Sequence, residues 1–178
     1  STGTTSADDF GLMTEVGDMN SDGRVDLIVS AFSRNASQGA VYIFYNDGSI
    51  PTTAATADVI IDGEGAISFG GTLAVGDLNS DSRVDLVIGQ SSLDSIEGRV
   101  YIFYSQNGVL NTGKSIARQG AGDLFGISMV SGDFNSDGRI DLAAGAAGYS
   151  TGAYTGRTYI FYNDGSIPTT AASADVII

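Results

Sequence analysis

Apolar residues in this chain come in short runs that break at Gly, Asp, Asn and Ser, with the period of strands and not of helices. The same succession of runs occurs three times. Each begins at a Phe-Gly pair: Phe10-Gly11, Phe69-Gly70 and Phe125-Gly126. A first strand runs from that pair to a Gly-Asp that opens an acidic loop. A second, short and apolar, is Asp26–Ser30, Asp85–Gly89 and Asp141–Gly145. The third is rich in aromatic and β-branched residues: Val41–Tyr45, Val100–Tyr104 and Thr158–Tyr162. The fourth is Ala57–Ile61, with a weaker counterpart at Lys114–Arg118 and a close copy at Ala174–Ile178. No amphipathic helical pattern interrupts this order.

The acidic loops are the clearest part of the repeat. They read Gly17-Asp-Met-Asn-Ser-Asp-Gly-Arg-Val-Asp-Leu27, Gly76-Asp-Leu-Asn-Ser-Asp-Ser-Arg-Val-Asp-Leu86 and Gly132-Asp-Phe-Asn-Ser-Asp-Gly-Arg-Ile-Asp-Leu142. Four short antiparallel strands per repeat, three times over, predict an all-β chain of three four-stranded propeller blades. We place them at about 8–61, 67–118 and 123–178 within a single array spanning 1–178. Residues 42–61 and 159–178 differ only at Thr56 versus Ser173, which suggests duplication of a two-blade unit or construction from one.

Composition narrows the chemistry. The 178 residues include 25 Gly and only 2 Pro, as many tight turns require. Lys and Arg number 8 against 21 Asp and Glu, a net charge of −13, which speaks against nucleic acid as a partner. No apolar run is long enough to insert in a membrane as a helix. With no His and no Cys, Ser-His-Asp and Cys-His nucleophiles are excluded, as are disulfides and imidazole or thiolate metal sites. We predict no catalytic residue and no enzymatic activity. Glu15, the one acid inside a first strand, is a lone carboxylate without a partner. The first residue is Ser1 and not Met, so the chain is read as processed or excised from something longer.

The acids are mostly Asp, and their spacing is that of a metal loop. Oxygen donors stand at positions 1, 3, 5 and 9 of a nine-residue turn, where alternate side chains point to one centre. They are Asp18, Asn20, Asp22 and Asp26, then Asp77, Asn79, Asp81 and Asp85, then Asp133, Asn135, Asp137 and Asp141. At position 7, Arg24, Arg83 and Arg139 contribute a backbone carbonyl while their side chains point away. Such hard, all-oxygen shells suit Ca²⁺, about three per chain. The bidentate Glu of an EF-hand is missing: position 12 is Val29, Ile88 or Ala144. Ser82 replaces the Gly that accommodates a positive φ at position 6, so the second loop is expected to bind least tightly.

Phe-Gly, then Gly-Asp-x-Asn-x-Asp-Gly-x-x-Asp-Leu, then Gly-x-Val-Tyr-Ile-Phe resembles the FG-GAP repeat of integrin α-chain propellers and of bacterial integrin-like proteins. The resemblance implies calcium in the loops between first and second strands. It also puts the loops between second and third strands, Ala31–Gly39, Gly89–Gly98 and Gly145–Gly156, on a ligand-binding face, the last displaying Tyr149 and Tyr154. The Pro of the Gly-Ala-Pro signature is missing in all three repeats. The function expected is an extracellular or cell-surface, calcium-stabilised module for adhesion or binding of a protein or glycan. The alternatives are a purely structural self-assembling unit and a non-catalytic accessory domain of a secreted hydrolase. Three blades leave two open edges, so self-association is expected, a homodimer closing a six-bladed ring or, second, a trimer of nine.

Overall fold

The computed structural model describes residues 8–63, 68–90, 98–106, 109–118, 122–150 and 155–178. It contains three four-stranded antiparallel sheets, each of strands consecutive in sequence. The first sheet is β1 (Phe10–Gly17), β2 (Asp26–Ala31), β3 (Ala40–Phe44) and β4 (Val59–Asp62). The second is β5 (Phe69–Gly76), β6 (Asp85–Gln90), β7 (Arg99–Gln106) and β8 (Val109–Ala117). The third is β9 (Phe125–Gly132), β10 (Asp141–Ala146), β11 (Arg157–Phe161) and β12 (Val176–Ile177). The first strand of each sheet packs beside that of the next, β1 against β5 and β5 against β9. This is the arrangement of successive propeller blades around an axis.

Burial explains why each run is a strand in its place. Every residue of β3 is buried, because a central strand covered on both faces reads as a continuous apolar run. The outer β4 alternates half-buried and exposed positions. Each Phe-Gly pair sits where the register between first and second strands slips. There Gly11, Gly70 and Gly126 take φ of 93°, 88° and 84°, a bulge conformation that disfavours a side chain.

The cores lie mostly between sheets. Blades one and two share Met19, Ile28 and Ile43 against Phe69, Leu86 and Phe103. Blades two and three share Leu78, Val87 and Ile102 against Phe125, Tyr159 and Ile167. A third cluster, including Val29, Tyr42 and Phe44, lies on the side of blade one away from blade two. Two elements differ from expectation. The fourth strand of blade two begins at Val109, well before Lys114, whereas that of blade three is pared to Val176–Ile177. A tight turn at Arg34–Ser37 was not foreseen, and Asn35, Ala36 and Ser37 in it have φ of 55°, 58° and 71°.

Candidate metal loops

The nine-residue loops join the first two strands of every sheet and begin and end on a strand pair. Gly17 pairs with Asp26, Gly76 with Asp85 and Gly132 with Asp141, so position 9 is the first residue of the second strand. The same hydrogen bonds fold all three loops. In the first, Asp22 N–H donates to both Asp18 Oδ1 and Asn20 Oδ1, each at 3.0 Å. Gly23 N–H donates to Asp18 Oδ2 at 2.9 Å and Arg24 N–H to Asp22 Oδ1 at 2.8 Å. In the second, Asp81 N–H donates to Asp77 Oδ1 and Asn79 Oδ1, Ser82 N–H to Asp77 Oδ2 and Arg83 N–H to Asp81 Oδ1. In the third, Asp137, Gly138 and Arg139 N–H groups repeat the pattern on Asp133, Asn135 and Asp137. Donors 1 and 3 therefore converge on one point inside each loop, with donor 5 beside them.

The ninth residue is anchored differently. Asp26, Asp85 and Asp141 are buried at the base of the loop, each carboxylate accepting two backbone N–H bonds. Asp26 takes Met19 N–H and Asn46 N–H, both at 2.8 Å. Asp85 takes Leu78 and Ser105 at 2.9 and 3.0 Å, and Asp141 takes Phe134 and Asn163 at 2.9 and 2.8 Å. This carboxylate ties its loop to the end of the third strand. Burial pushes the Asp85 carboxyl up to about 6, and the charges of Asp81 and Asp77 push the same way against the two N–H bonds. Arg24 and Arg139 send their guanidinium groups to Asn46 O and Asn163 O, at 3.3 and 3.2 Å.

The donor set fits a hard divalent cation in kind: carboxylate and amide oxygens drawn into one tight loop. Among the described residues no three acidic side chains close into a cluster that could hold a metal; the carboxylates are turned onto the loop's own N–H groups. Left-handed backbone lets the loop wrap so tightly. Ser82 stands at φ 65°, where Gly23 and Gly138 stand at 85°, so the position does demand what Gly supplies most cheaply.

The sequence reading missed three features of these loops. Ser21, Ser80 and Ser136 at position 4 also have positive φ. The residue at position 2 is an apolar plug: Met19 and Leu78 are buried in the next blade junction. The polar residue after the aromatic strand links adjacent blades. Ser105 Oγ donates to Met19 O at 3.2 Å, and Asn163 Nδ2 donates to Asp77 O at 3.3 Å. A polar residue recurs after every Tyr-Ile-Phe-Tyr segment, at Asn46, Ser105 and Asn163, and that was the available signal.

On the opposite face the expected ligand loops are partly tied down. Arg34 pairs with Asp62 and lies over the Tyr42 ring at 5.5 Å. Tyr149 is not a displayed aromatic: it packs half-buried against the core between blades two and three, with the Arg157 guanidinium 3.7 Å above its ring. Tyr154 and residues 91–97 lie outside the described residues. Glu15 pairs with Ile28 within the first sheet and is half-buried.

Three sheets of this order, each carrying the same oxygen-rich loop between its first two strands, define a β-propeller array of integrin type. The FG-GAP-like repeat model matches residues 18–88 and 77–144, and the chain belongs to that family. It is 38% identical to human integrin alpha-6 over 125 residues, 66% of this chain and 11% of the integrin. Rat integrin alpha-7 is 36% identical over the same share of the chain. Mouse phosphatidylinositol-glycan-specific phospholipase D is 34% identical over 145 residues, 70% of this chain and 17% of that protein. The chain thus spans between about a tenth and a sixth of the length of these relatives.

Proposed function

We propose that this chain is a calcium-stabilised, non-enzymatic propeller module that binds a protein or glycan outside the cell. The observation that carries the reading is the threefold repetition of one loop in which the oxygens at positions 1 and 3 are turned inward by the same bonds. Asp18, Asn20, Asp22, Asp26 and the Arg24 carbonyl would hold one ion. Asp77, Asn79, Asp81, Asp85 and the Arg83 carbonyl would hold a second, and Asp133, Asn135, Asp137, Asp141 and the Arg139 carbonyl a third. The ion supplies positive charge that offsets the crowded carboxylates and cross-links the ends of the first two strands. Loops of this modest donor count suit millimolar calcium, which favours a secreted or surface location. Similarity to integrin alpha chains supports adhesion through the loops on the other face. Similarity to a phospholipase D supports a second reading, an accessory domain beside a hydrolase.

Thermal unfolding with 2 mM CaCl₂ and with excess EDTA, followed by circular dichroism, tests the metal. Calcium should raise Tm by several degrees through its selective binding to the folded state. Asp133→Ala should shrink that difference by about a third, as one of three comparable sites drops out. An unchanged Tm in EDTA would refute the reading. Calorimetric titration should resolve about three sites, with the Ser82 loop weakest. Ser82→Gly should tighten that site about fivefold, because about 1 kcal/mol of left-handed strain is relieved. Immobilised matrix proteins and a glycan array, probed with and without calcium, test the ligand.

A further inference from the structure

At both blade junctions within the chain, the residue that follows the Tyr-Ile-Phe-Tyr segment touches two of the acidic loops at once. Its backbone belongs to the loop of its own blade. Asn163 N–H donates to Asp141 Oδ1 at 2.8 Å, and the Arg139 guanidinium donates to Asn163 O at 3.2 Å, so positions 9 and 7 of the third loop grip the main chain. Its side chain belongs to the loop before. Asn163 Nδ2 donates to Asp77 O at 3.3 Å and to Ser80 Oγ at 3.4 Å, at positions 1 and 4 of the second loop, on either side of the Asn79 donor. Ser105 repeats the arrangement one junction earlier. Its N–H donates to Asp85 Oδ1 at 3.0 Å in the second loop, and its Oγ donates to Met19 O at 3.2 Å in the first.

Both residues are fully buried. A hydrogen bond closed off from water has no solvent partner to replace it when it breaks, so the shape of each loop depends on that of its neighbour. Asn163 Oδ1 is buried without a partner, so the side-chain amide is held by the second loop alone. A continuous line of bonds thus runs through all three loops, from third to second through Asn163 and from second to first through Ser105. The Asn163 link makes two bonds to the arc that carries the donors. Ser105 makes one, to the carbonyl of position 2, and is the weaker link.

We infer, resting on the calcium reading above, that Asn163 is a positioning residue that makes calcium binding at the second and third loops cooperative. With the third loop gathered on an ion, Arg139 and Asp141 keep the Asn163 backbone in one place. Its amide then keeps Asp77 and Ser80 in theirs, ahead of the second ion. Part of the cost of ordering the second loop is thereby met when the third is filled, and the second binds more tightly. Reciprocity requires that a filled second loop tighten the third by the same factor. Ser105 couples the second loop to the first in the same way, through its single bond. Neither residue has to touch an ion for this to hold.

Calorimetric titration of the 178-residue chain with CaCl₂, at physiological ionic strength, is the test. Asp18→Ala silences the first loop and serves as the parent. Adding Asp133→Ala leaves the second loop alone, and adding Asp77→Ala instead leaves the third alone. The coupling factor is the overall two-ion association constant of the parent divided by the product of the two constants measured singly. It should be about fivefold larger with Asn163 in place than in the same three variants carrying Asn163→Ala. Repulsion between the two ions enters both sets alike, so the difference reads the amide. If Asn163 served only to hold the fold together, its loss would change the single constants and leave the factor unmoved. Asn163→Ser keeps a hydroxyl donor, as blade two does at Ser105, and should fall between; it carries the test if Asn163→Ala does not fold by circular dichroism. A factor that stays the same in every folded variant overturns the inference while the calcium reading stands. Absence of binding at every loop overturns both.

Discussion

Residues 42–61 and 159–178 are the same peptide apart from one hydroxyl-bearing side chain, yet they live in different surroundings. What they share is local. Thr53 and Thr170 have φ and ψ of −134°, 143° and −135°, 142°, and a one-turn 3₁₀ helix follows each. Tyr45 N–H donates to Asp58 Oδ2 at 2.8 Å and Tyr162 N–H to Asp175 Oδ2 at 2.7 Å. Ala54 and Ala171 are both buried. What differs is supplied by the neighbour. Ile167 is fully buried against blade two and Ile50 is 37% exposed; Asn163 is fully buried and bonded to Asp77, while Asn46 folds back on its own blade. Blade conformation therefore belongs to the peptide, and the burial of the Ile50/Ile167 and Asn46/Asn163 positions belongs to the junction.

The largest consequence is in side-chain truncation. Ile167→Ala removes buried methyl groups from the core between blades two and three and should cost about 2–5 kcal/mol in urea unfolding. Ile50→Ala, measured at concentrations low enough to keep chains apart, should cost no more than about 0.5 kcal/mol. Equal losses at the two positions would break the comparison. A loss at Ile50 that grows with protein concentration would sharpen it, because the neighbour is then a second chain.

The polar pair should follow at smaller scale. Asn163→Ala deletes the bonds to Asp77 O and Ser80 Oγ, at 3.3 and 3.4 Å, from a site closed to water. That should cost about 1–2 kcal/mol, reduced because Asn163 Oδ1 is itself buried without a partner. Asn46→Ala, at a half-exposed site, should stay below about 0.5 kcal/mol. Chemical denaturation in calcium reads both.

Most of the fold was legible because the sequence states it three times, and repetition turns weak turn and strand signals into a strong one. The inward turn of positions 1 and 3 of each loop was legible for the same reason: Asp and Asn at alternate positions share the inside of a tight turn. The junctions were not. Nothing in the alternation of β5 says that Leu73 packs toward blade one while its neighbour Ala74 packs toward blade three. Position 2 of the loop was given no role, although Met19 and Leu78 are plugs whose burial depends on the next sheet. Tyr149 read as a displayed aromatic because its sequence context is a Gly- and Ser-rich loop; the Arg157 side chain that covers it comes from a neighbouring strand.

The smallest expected effect concerns the one position where the twin peptides differ. Thr56 Oγ1 stands 3.2 Å from Thr53 Oγ1, and Ser173 Oγ stands 3.0 Å from Thr170 Oγ1, so the same hydroxyl pair brackets the 3₁₀ turn in both. Both side chains are exposed, and the extra methyl of Thr56 gains no buried surface. Thr56→Ser makes the peptides identical while every difference in their burial remains. If conformation is local and burial belongs to the junction, the change should move Tm by less than about 1 °C, a shift of a few tenths of a kcal/mol in a domain of this size. Ser173→Thr should be as silent. A substantial shift from either swap would mean that this residue, and not the neighbouring blade, sets the two environments apart.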